Sequence, residues 1–292
     1  MKAMILAAGL GTRLRPLTDN RPKALVEICG RTLLEITLTR LRTFGITDVI
    51  VNVHHFADMV IDYLKSNKNF GMRIEISREE VLLDTGGGLK KAAWFFLGDP
   101  ARPHPSQMDA PFLLHNVDVI SNIDLNRMLQ FHTDNHALVT LAAQSRKTSR
   151  PLLFDDHHQL RGRRVGLDGP PELVGDHHTT GFRQSTAEPV PTRSGAVPQS
   201  VVSSGASAPE VESYPPLQAL AFSGIHIISP RLLPMLTEDG IFSIIPSYLR
   251  LAAQGQKILA FRADNYYWRD LGRPADLAQA AHDLESGLRA EG

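Results

Sequence analysis

Cysteine is almost absent from this sequence, and so is any excess of charge. The 292 residues include one cysteine, Cys29, so the chain cannot form an internal disulfide, and we expect this thiol to be buried and inert. Lysine and arginine together number 31, as do aspartate and glutamate, so the formal net charge is zero. Nucleic-acid-binding proteins usually carry a basic excess. We therefore expect no nucleic-acid partner, and any attraction for anions must be local.

Long hydrophobic runs are missing as well. No apolar run reaches the roughly 18 residues that a membrane-spanning helix needs. The short apolar run at residues 4–8 lacks the length and the cleavage pattern of a signal peptide. We therefore expect a cytoplasmic protein with no membrane partner. Hydrophobic residues still make up 42% of the chain, which is enough for the core of one large α/β domain.

Apolar runs that predict strands alternate with stretches of helical periodicity over the first half of the chain. This alternation indicates βαβ units and a mostly parallel sheet, in which ligands bind beyond the carboxyl ends of the strands. The predicted strands are residues 2–8, 48–53, 72–77, 111–116 and 136–143, and the predicted helices are 32–44, 56–66, 86–97 and 124–134.

The alternating pattern fails from about Leu160. Between residues 185 and 216, seven serines and six prolines stand among few large apolar residues, which favours a mobile segment. We therefore expect one domain over residues 1–292 with a Pro/Ser-rich insertion at 161–216. Regular structure is predicted to resume with a strand at 217–228, helices at 230–238 and 242–255, strands at 257–261 and 266–272, and a last helix from Pro274 with Leu277, Ala281, Leu284 and Leu288 on one face.

The segment LAAGLGTRLRPLT at residues 6–18 follows the first predicted strand and turns through two glycines. A glycine turn after a strand frees backbone N–H groups that can point at an anion. Arg13 and Arg15 follow the turn, and Lys23 comes shortly after them. Cations beside such a turn favour a polyphosphate over a carboxylate as the ligand.

Two common phosphate-binding loops do not fit this segment. A Walker A loop ends in Gly-Lys-Ser/Thr, which is missing here. The dinucleotide fingerprint needs a third glycine where Leu14 stands, and an acidic residue about 20 residues later at the end of a second strand. Glu27 comes too early for that role, and Asp48 begins the second strand instead of ending it. An oxidoreductase is therefore disfavoured.

The longer segment LAAGLGTRLRPLTDNRPKALVEICGRTLLE resembles the opening of the sugar-1-phosphate nucleotidyltransferases, the nucleotide-sugar pyrophosphorylases. Two aspartates stand where that family has its metal ligands. They are Asp118 in LLHNVDV, although Val117 replaces a frequent glycine, and Asp270 in YYWRDLG. The segment LLDTGGGLKKA also resembles a family segment that precedes a helix and lines the nucleotide. The resemblance covers about residues 1–145 and 217–285.

The resemblance implies an α/β fold with a Rossmann-like, mostly parallel mixed sheet flanked by helices (the nucleotide-diphospho-sugar transferase fold, GT-A-like). It implies transfer of a nucleotidyl group from a nucleoside triphosphate (NTP) to a sugar 1-phosphate. The implied cofactor is Mg²⁺ held by Asp118 and Asp270, since Mg²⁺ takes hard oxygen ligands. Lys23 would stabilise the transition state on the α-phosphate, and Arg13 would bind the β- and γ-phosphates.

The other site residues that the resemblance implies contact the two substrates. The sugar would lie against Ser223 and Gly224. The nucleotide would be bound by the backbone N–H groups of Gly9, Leu10, Gly11 and Thr12, by the small side chains of Ala7 and Ala8, and by Glu79, Gly87 and Asn116.

Several points stay open at the level of sequence. Many relatives hold the sugar phosphate with a second lysine in a Glu-Lys-Pro segment, which is missing here, and Arg146, Lys147 and Arg150 are its candidate replacements. The short form of the family favours UTP with an N-acetylmuramate-type sugar 1-phosphate, with GTP and mannose or heptose 1-phosphate as the alternative. A non-catalytic nucleotide-sugar sensor is disfavoured, because the loop cations and both aspartates are present. We expect a monomer or a small homo-oligomer.

Overall fold

The computed structural model describes residues 1–98, 110–166, 169–175 and 216–286. Within these ranges the strands are β1 (Ala3–Leu6), β2 (Glu27–Ile28), β3 (Arg31–Thr32), β4 (Asp48–Val53), β5 (Arg73–Arg78), β6 (Phe112–Asn116), β7 (Val119–Ser121), β8 (Val139–Gln144), β9 (Leu152–Phe154), β10 (Leu160–Arg164), β11 (Pro171–Leu173), β12 (Gln218–Ile228), β13 (Ile258–Arg262) and β14 (Trp268–Asp270).

Ten of these strands form one mixed sheet in the order β11-β10-β9-β12-β6-β1-β4-β5, with β8 paired to both β12 and β13. Strands β6, β1, β4 and β5 run parallel to one another, so their carboxyl ends meet at one edge. The long strand β12 lies antiparallel to β6, β8 and β9. The predicted mixed α/β sheet with a parallel centre is therefore confirmed.

Helices cover both faces of this sheet. They are α1 (Leu33–Thr43), α2 (Ala57–Ser66), α3 (Asp84–Lys91), α4 (Ala93–Leu97), α5 (Leu125–Asp134), α6 (Ile244–Ala253) and α7 (Pro274–Glu285). Side chains alternate across a strand, so Ala3 and Ile5 of β1 belong to one core cluster, and Met4 belongs to the cluster on the opposite face. Thr32 caps the start of helix α1, and its hydroxyl accepts the N–H of Glu35, as in a capping box.

Three expectations about secondary structure were wrong or incomplete. Regular structure does not stop at Leu160, because Leu160–Arg164 and Pro171–Leu173 add β10 and β11 to the sheet next to β9. The helix predicted at 86–97 is two helices that meet at Ala92. The helix predicted at 230–238 is a short 3-10 helix, Pro230–Met235, since Pro234 lacks the N–H that an α-helix needs.

The thiol of Cys29 is exposed, which contradicts the prediction that it is buried. Cys29 and Gly30 form the turn of the hairpin that joins β2 to β3, and both have positive φ angles, 49° and 74°. Positive φ angles at both positions are those of a type I′ hairpin turn, so Cys29 lies at the tip of the hairpin and not in a strand.

Much of the predicted Pro/Ser-rich insertion, residues 167–168 and 176–215, lies outside the described residues, as does Leu288. The last helix does pack its predicted apolar face, with Leu277 buried and Ala281 and Leu284 against the same core. No helix within the described ranges is long and apolar enough to span a membrane.

Candidate active site

The glycine loop follows β1 at the carboxyl edge of the sheet, and contacts between its own residues fix its conformation. Gly11 has a φ of 65°, and an added Cβ would lie 2.9 Å from Cγ2 of Thr18 and 3.1 Å from Cβ of Lys23. The hydroxyl of Thr18 donates to the carbonyl of Gly11 at 2.9 Å, which closes the loop. Glycine is needed at position 11 because of both the left-handed backbone and the close packing.

The backbone N–H groups of this loop are available to a ligand. Among the hydrogen bonds of the described residues, those of Gly9, Leu10, Gly11 and Thr12 donate to no protein acceptor. Gly9, Leu10 and Thr12 are also exposed. Adjacent unpaired N–H groups can form a concave site for an anion, and the anion-binding role of this loop stays a prediction.

Lys23 lies inside the site rather than at the surface. It opens a 3-10 turn, Lys23–Leu25, after the extended Pro22, and only 10% of its side chain is exposed. Its Nζ donates to Oδ2 of Asp118, which follows β6. The loop cation and the first predicted metal ligand are therefore in direct contact.

Asp270, which is near the end of the chain, lies close to Asp118 in the fold. Strand β14 pairs with β7 so that Asp270 is opposite Val119, and the N–H of Leu271 donates to the carbonyl of Asp118 at 2.8 Å. Burial, followed by the charge of Asp118, raises the pKa of Asp270, and Lys23, the Gly272 N–H and Arg13 oppose the increase. The charges of the two aspartates therefore act on each other across this corner of the site.

Arg13 and Gly272 complete this corner of the site. The Gly272 N–H donates to Oδ1 of Asp270 at 2.7 Å. A Cβ at position 272 would lie 2.7 Å from that oxygen and 3.0 Å from a guanidinium nitrogen of Arg13. A larger residue at position 272 would therefore displace the ends of the arginine and carboxylate side chains.

The donor set of this corner fits a divalent cation. The carboxylates of Asp118 and Asp270 offer hard oxygen ligands, and a cation bound to both would relieve the repulsion of their charges. Within the described ranges, no group of three or more His, Cys, Asp or Glu side chains is arranged as a metal site. The protein would therefore supply two carboxylates, and water or substrate oxygens would complete the coordination.

Two adjoining cavities open at the carboxyl edge of the sheet. The loop cavity, of about 270 Å³, is lined by Leu6, Ala7, Gly9, Gly11, Thr12, Arg13, Lys23, Val117, Asp118 and Gly272. The Glu79 cavity, of about 340 Å³, is lined by Leu6, Ala8, Gly9, Asn52, Glu79, Leu82, Asp84, Thr85, Asn116, Asp118 and Ile241. Gly9 and Asp118 belong to both, so a ligand can extend from one cavity into the other.

A chain of hydrogen bonds ties the loop to the start of α3. The N–H of Ala7 donates to Oδ1 of Asn52 at 2.7 Å, and Nδ2 of Asn52 donates to Oε1 of Glu79 at 2.7 Å. The second carboxylate oxygen of Glu79 accepts the N–H of Leu83 at 2.9 Å. Glu79 was predicted to face the base; it does line the cavity, and both of its oxygens also hold protein groups.

Gly87 serves packing in this structure. An added Cβ would lie 2.3 Å from the carbonyl oxygen of Gly240, so α3 approaches the segment before α6 at this point. Gly87 is not among the residues that line the Glu79 cavity. Its close neighbour is therefore backbone, and its predicted contact with a base stays a prediction.

The predicted sugar-side residues lie behind Asn116. Gly224 has a φ of 73°, and a Cβ there would lie 2.9 Å from Nδ2 of Asn116, which lines the Glu79 cavity. Ser223 is fully buried, and its carbonyl accepts the indole N–H of Trp268 at 2.7 Å. Neither residue lines the two cavities, so a sugar contact at these positions stays a prediction.

Sequence reasoning missed several residues of the site. Asn52, Asp84, Thr85 and Ile241 line the Glu79 cavity, and Asn52 carried a signal, a polar side chain at the carboxyl end of the strand DVIVNV. Of the candidate replacements for the second lysine, Lys147 and Arg150 are exposed. Arg146 is half-buried beside Trp268, and its charge interacts with that of Asp270.

Comparison with known proteins assigns the class. The sequence model of the nucleotidyl transferase family matches residues 2–152. The chain belongs to this family of enzymes.

Particular relatives extend the similarity over the rest of the chain. The chain is 32% identical over 288 residues to an N-acetylmuramate alpha-1-phosphate uridylyltransferase of Caulobacter vibrioides, with 97% of each protein covered. A mannose-1-phosphate guanyltransferase of Hypocrea jecorina is 31% identical over 186 residues, which are 62% of this chain and 48% of that protein. The structure of the inositol-1-phosphate CTP transferase from T. maritima shares the fold, with a TM-score of 0.64 at 14% identity over 98% of this chain and 95% of that one.

Proposed function

We propose that this protein transfers a uridylyl group from UTP to an N-acetylmuramate-type sugar 1-phosphate and releases pyrophosphate. The observation that carries the proposal is the convergence of Lys23, Arg13, Asp118 and Asp270 on one loop with unpaired N–H groups. Separate parts of the chain supply these four side chains. If each had only a structural role, they would not need to lie together beside one loop.

The choice of substrates is supported by the extent of similarity. The uridylyltransferase matches 97% of this chain and 97% of its own length, whereas the chain spans 48% of the guanyltransferase. GTP with mannose or heptose 1-phosphate is therefore the alternative pair. Both pairs require the same chemistry at the α-phosphate, so the site residues keep their roles in either case.

The residues of the loop cavity hold and neutralise the phosphates. The N–H groups of Gly9, Leu10, Gly11 and Thr12 bind the triphosphate, and Arg13 adds charge at its outer phosphates. Lys23, which contacts Asp118 in the free protein, moves its ammonium to the α-phosphate as the sugar phosphate oxygen attacks in line. Electrostatic stabilisation of the transferring group is the main catalytic contribution of such a site.

Asp118 and Asp270 would hold Mg²⁺, which when bound supplies positive charge to the nucleotide phosphates. The N–H of Gly272 holds Asp270 in place for this, and the carboxylate of Asp118 becomes available when Lys23 leaves it. The Gly224 turn lies against Asn116, which lines the Glu79 cavity, so a sugar held by Ser223 and Gly224 would lie next to the nucleotide.

A substrate panel tests the proposal. The purified protein is incubated with Mg²⁺ and each of UTP, GTP, CTP, dTTP and ATP, against N-acetylmuramate, mannose, heptose and glucose 1-phosphates, and pyrophosphate release is measured. We expect the highest kcat/KM for UTP with N-acetylmuramate 1-phosphate, and no release by Asp118→Asn. A preference for GTP would establish the alternative pair. Tight nucleotide binding without any release would show a sensor rather than an enzyme.

A further inference from the structure

Strand β12 is interrupted where it passes the site. Its pairing with β8 shifts between Phe222 and His226, so β12 carries extra residues there, as in a β-bulge. At this irregularity two backbone carbonyls are bound by side chains. The carbonyl of Phe222 accepts Nη2 of Arg146 at 2.6 Å, and that of Ser223 accepts Nε1 of Trp268 at 2.7 Å.

Arg146 also contacts Trp268 directly. The guanidinium carbon lies 3.6 Å from the centre of the indole ring, within the range of a cation–π interaction. The two side chains therefore hold each other as well as β12. Burial lowers the pKa of Arg146, and the charge of Asp270 opposes this change, so the guanidinium lies within electrostatic reach of the carboxylate.

Trp268 begins the short strand that carries Asp270. Strand β14 is three residues long and, within the described residues, pairs with β7 alone. Residues two apart on a strand point to the same side, so a shift of the indole also shifts Asp270. A strand with a single short partner needs other contacts to hold a carboxylate in place.

Gln144, two residues before Arg146, binds the segment that leads into β14. Nε2 of Gln144 donates to the carbonyls of Ala263 and Tyr266 at 2.7 and 2.9 Å. Gln144 thus holds the residues before β14, and Arg146 contacts Trp268, the first residue of β14.

We propose that Arg146 is a positioning residue for Asp270: by stacking on Trp268 and bonding the carbonyl of Phe222, it fixes β14 against β12 and sets the place of the carboxylate. The role requires the flat guanidinium, which stacks and donates at once, and a lysine cannot do both. The inference rests on the proposed function in one respect, that Asp270 is a metal ligand.

Metal affinity and indole fluorescence test the proposal without turnover. Binding of Mn²⁺ to the free protein is measured by electron paramagnetic resonance for Arg146→Lys and Arg146→Met, with the exposed Lys147→Met as the matched control. We expect the dissociation constant to rise about 10- to 100-fold in both Arg146 variants, as for other residues that orient metal ligands. It should be unchanged in Lys147→Met. The chain has two tryptophans, so in a Trp94→Phe background the emission of Trp268 should shift in the Arg146 variants.

The outcomes separate this inference from the proposed function. Unchanged Mn²⁺ affinity together with a raised KM for the sugar phosphate in Arg146→Met, restored by Arg146→Lys, would overturn positioning in favour of a direct substrate contact. If Asp270→Asn binds Mn²⁺ like the unaltered protein, the metal assignment in the proposed function is wrong, and the emission of Trp268 still decides whether Arg146 fixes β14. Unchanged emission in both Arg146 variants would overturn the inference.

Discussion

The ammonium of Lys23 rests on the carboxylate of Asp118, and the two side chains are 10% and 17% exposed. The pair joins the loop that follows β1 to the residue that follows β6, and both side chains line the loop cavity. Both groups have a further use in the proposed reaction, and neither can serve that use while bound to the other. The pair must therefore separate when substrate and metal bind.

Replacing Lys23 should act mainly on turnover. We expect Lys23→Ala to lower kcat by about 10²–10³ with a much smaller change in nucleotide affinity, because the ammonium acts on charge that rearranges at the α-phosphate. Steady-state kinetics measure both quantities. The exposed Arg15, paired with Asp19 at the surface, provides the control Arg15→Ala, which should behave like the unaltered protein. Near-normal kcat with a greatly raised KM would mean that Lys23 only anchors substrate.

The same ion pair should limit metal binding by the free protein. Since Lys23 occupies the carboxylate of Asp118, we expect Lys23→Met to bind Mn²⁺ more tightly in the absence of nucleotide, by roughly tenfold or more, the effect of about 1.4 kcal/mol of lost competition. Isothermal titration with Mn²⁺ measures the change. Weaker Mn²⁺ binding by this variant would show that the lysine organises Asp118 rather than competes for it.

Loss of either aspartate should remove most activity without unfolding the protein. Asp118→Asn and Asp270→Asn should each lower kcat strongly, and the double variant should lose little more than either alone, because residues that act as a unit are not additive. Asp239→Asn, at a largely exposed side chain, is the control. Should the double variant lose the product of the two single effects, the aspartates act independently and do not share an ion.

Arg13 should affect binding as well as rate. Arg13 is an exposed residue that lines the loop cavity, and its guanidinium lies beside Gly272 and Asp270. We expect Arg13→Ala to raise the KM for the nucleotide and to lower kcat, with the larger effect on kcat/KM for the triphosphate. The dissociation constant of a non-hydrolysable nucleotide shows how much of the change comes from weaker binding of the nucleotide itself. Unchanged affinity for that analogue would remove Arg13 from the outer phosphates.

Buried histidines should make the protein sensitive to acid. Burial lowers the pKa of His226 to about 3, with a contribution from His115, and burial followed by the charge of Arg231 lowers the pKa of His132 to about 4. Below their ordinary value of 6.5 the unfolded chain binds protons that the folded chain does not. Stability is therefore present above pH 6.5 and is lost as the pH falls toward 4, by about 1.4 kcal/mol per pH unit for each histidine.

Urea unfolding at pH 7, 6 and 5 measures this dependence. His226→Gln can keep a hydrogen bond to Tyr248 and should show a shallower loss of stability on acidification. The exposed His157 gives the control His157→Gln, which should keep the original slope. Equal slopes for all three proteins would mean that His226 is protonated in the folded state.

The parts of the site that could be predicted from the sequence are those whose function depends on local order along the chain. The glycines, Arg13 and Lys23 lie within one short segment, and Asp118 follows an apolar strand, at the edge where ligands bind in such sheets. Asp270 lies in the short strand Trp268–Asp270, which has no apolar pattern, and only the resemblance to the family pointed to it. The parallel centre of the sheet followed from the same alternation of strands and helices.

The remaining features depend on contacts between distant segments. Strand β10 carries Arg161, Arg163 and Arg164 and has little apolar pattern, so it forms because β9 offers it a partner. The role of Arg146 needs the irregularity in β12 and the indole of Trp268, which lie far along the chain. The exposure of Cys29 depends on the pairing of β2 with β3, which puts this residue in a turn. Nothing in the residues around Cys29 predicts that pairing.

The hydrogen bonds from Ala7 through Asn52 and Glu79 to Leu83 cross three neighbouring strands and end at helix α3. They hold the backbone of the proposed phosphate-binding loop in the same rigid frame as the Glu79 cavity. If nucleotide binds there as proposed, folding has already ordered its site, and binding needs little further ordering of the chain. Substitutions that weaken the sheet at these strands should then also weaken nucleotide binding.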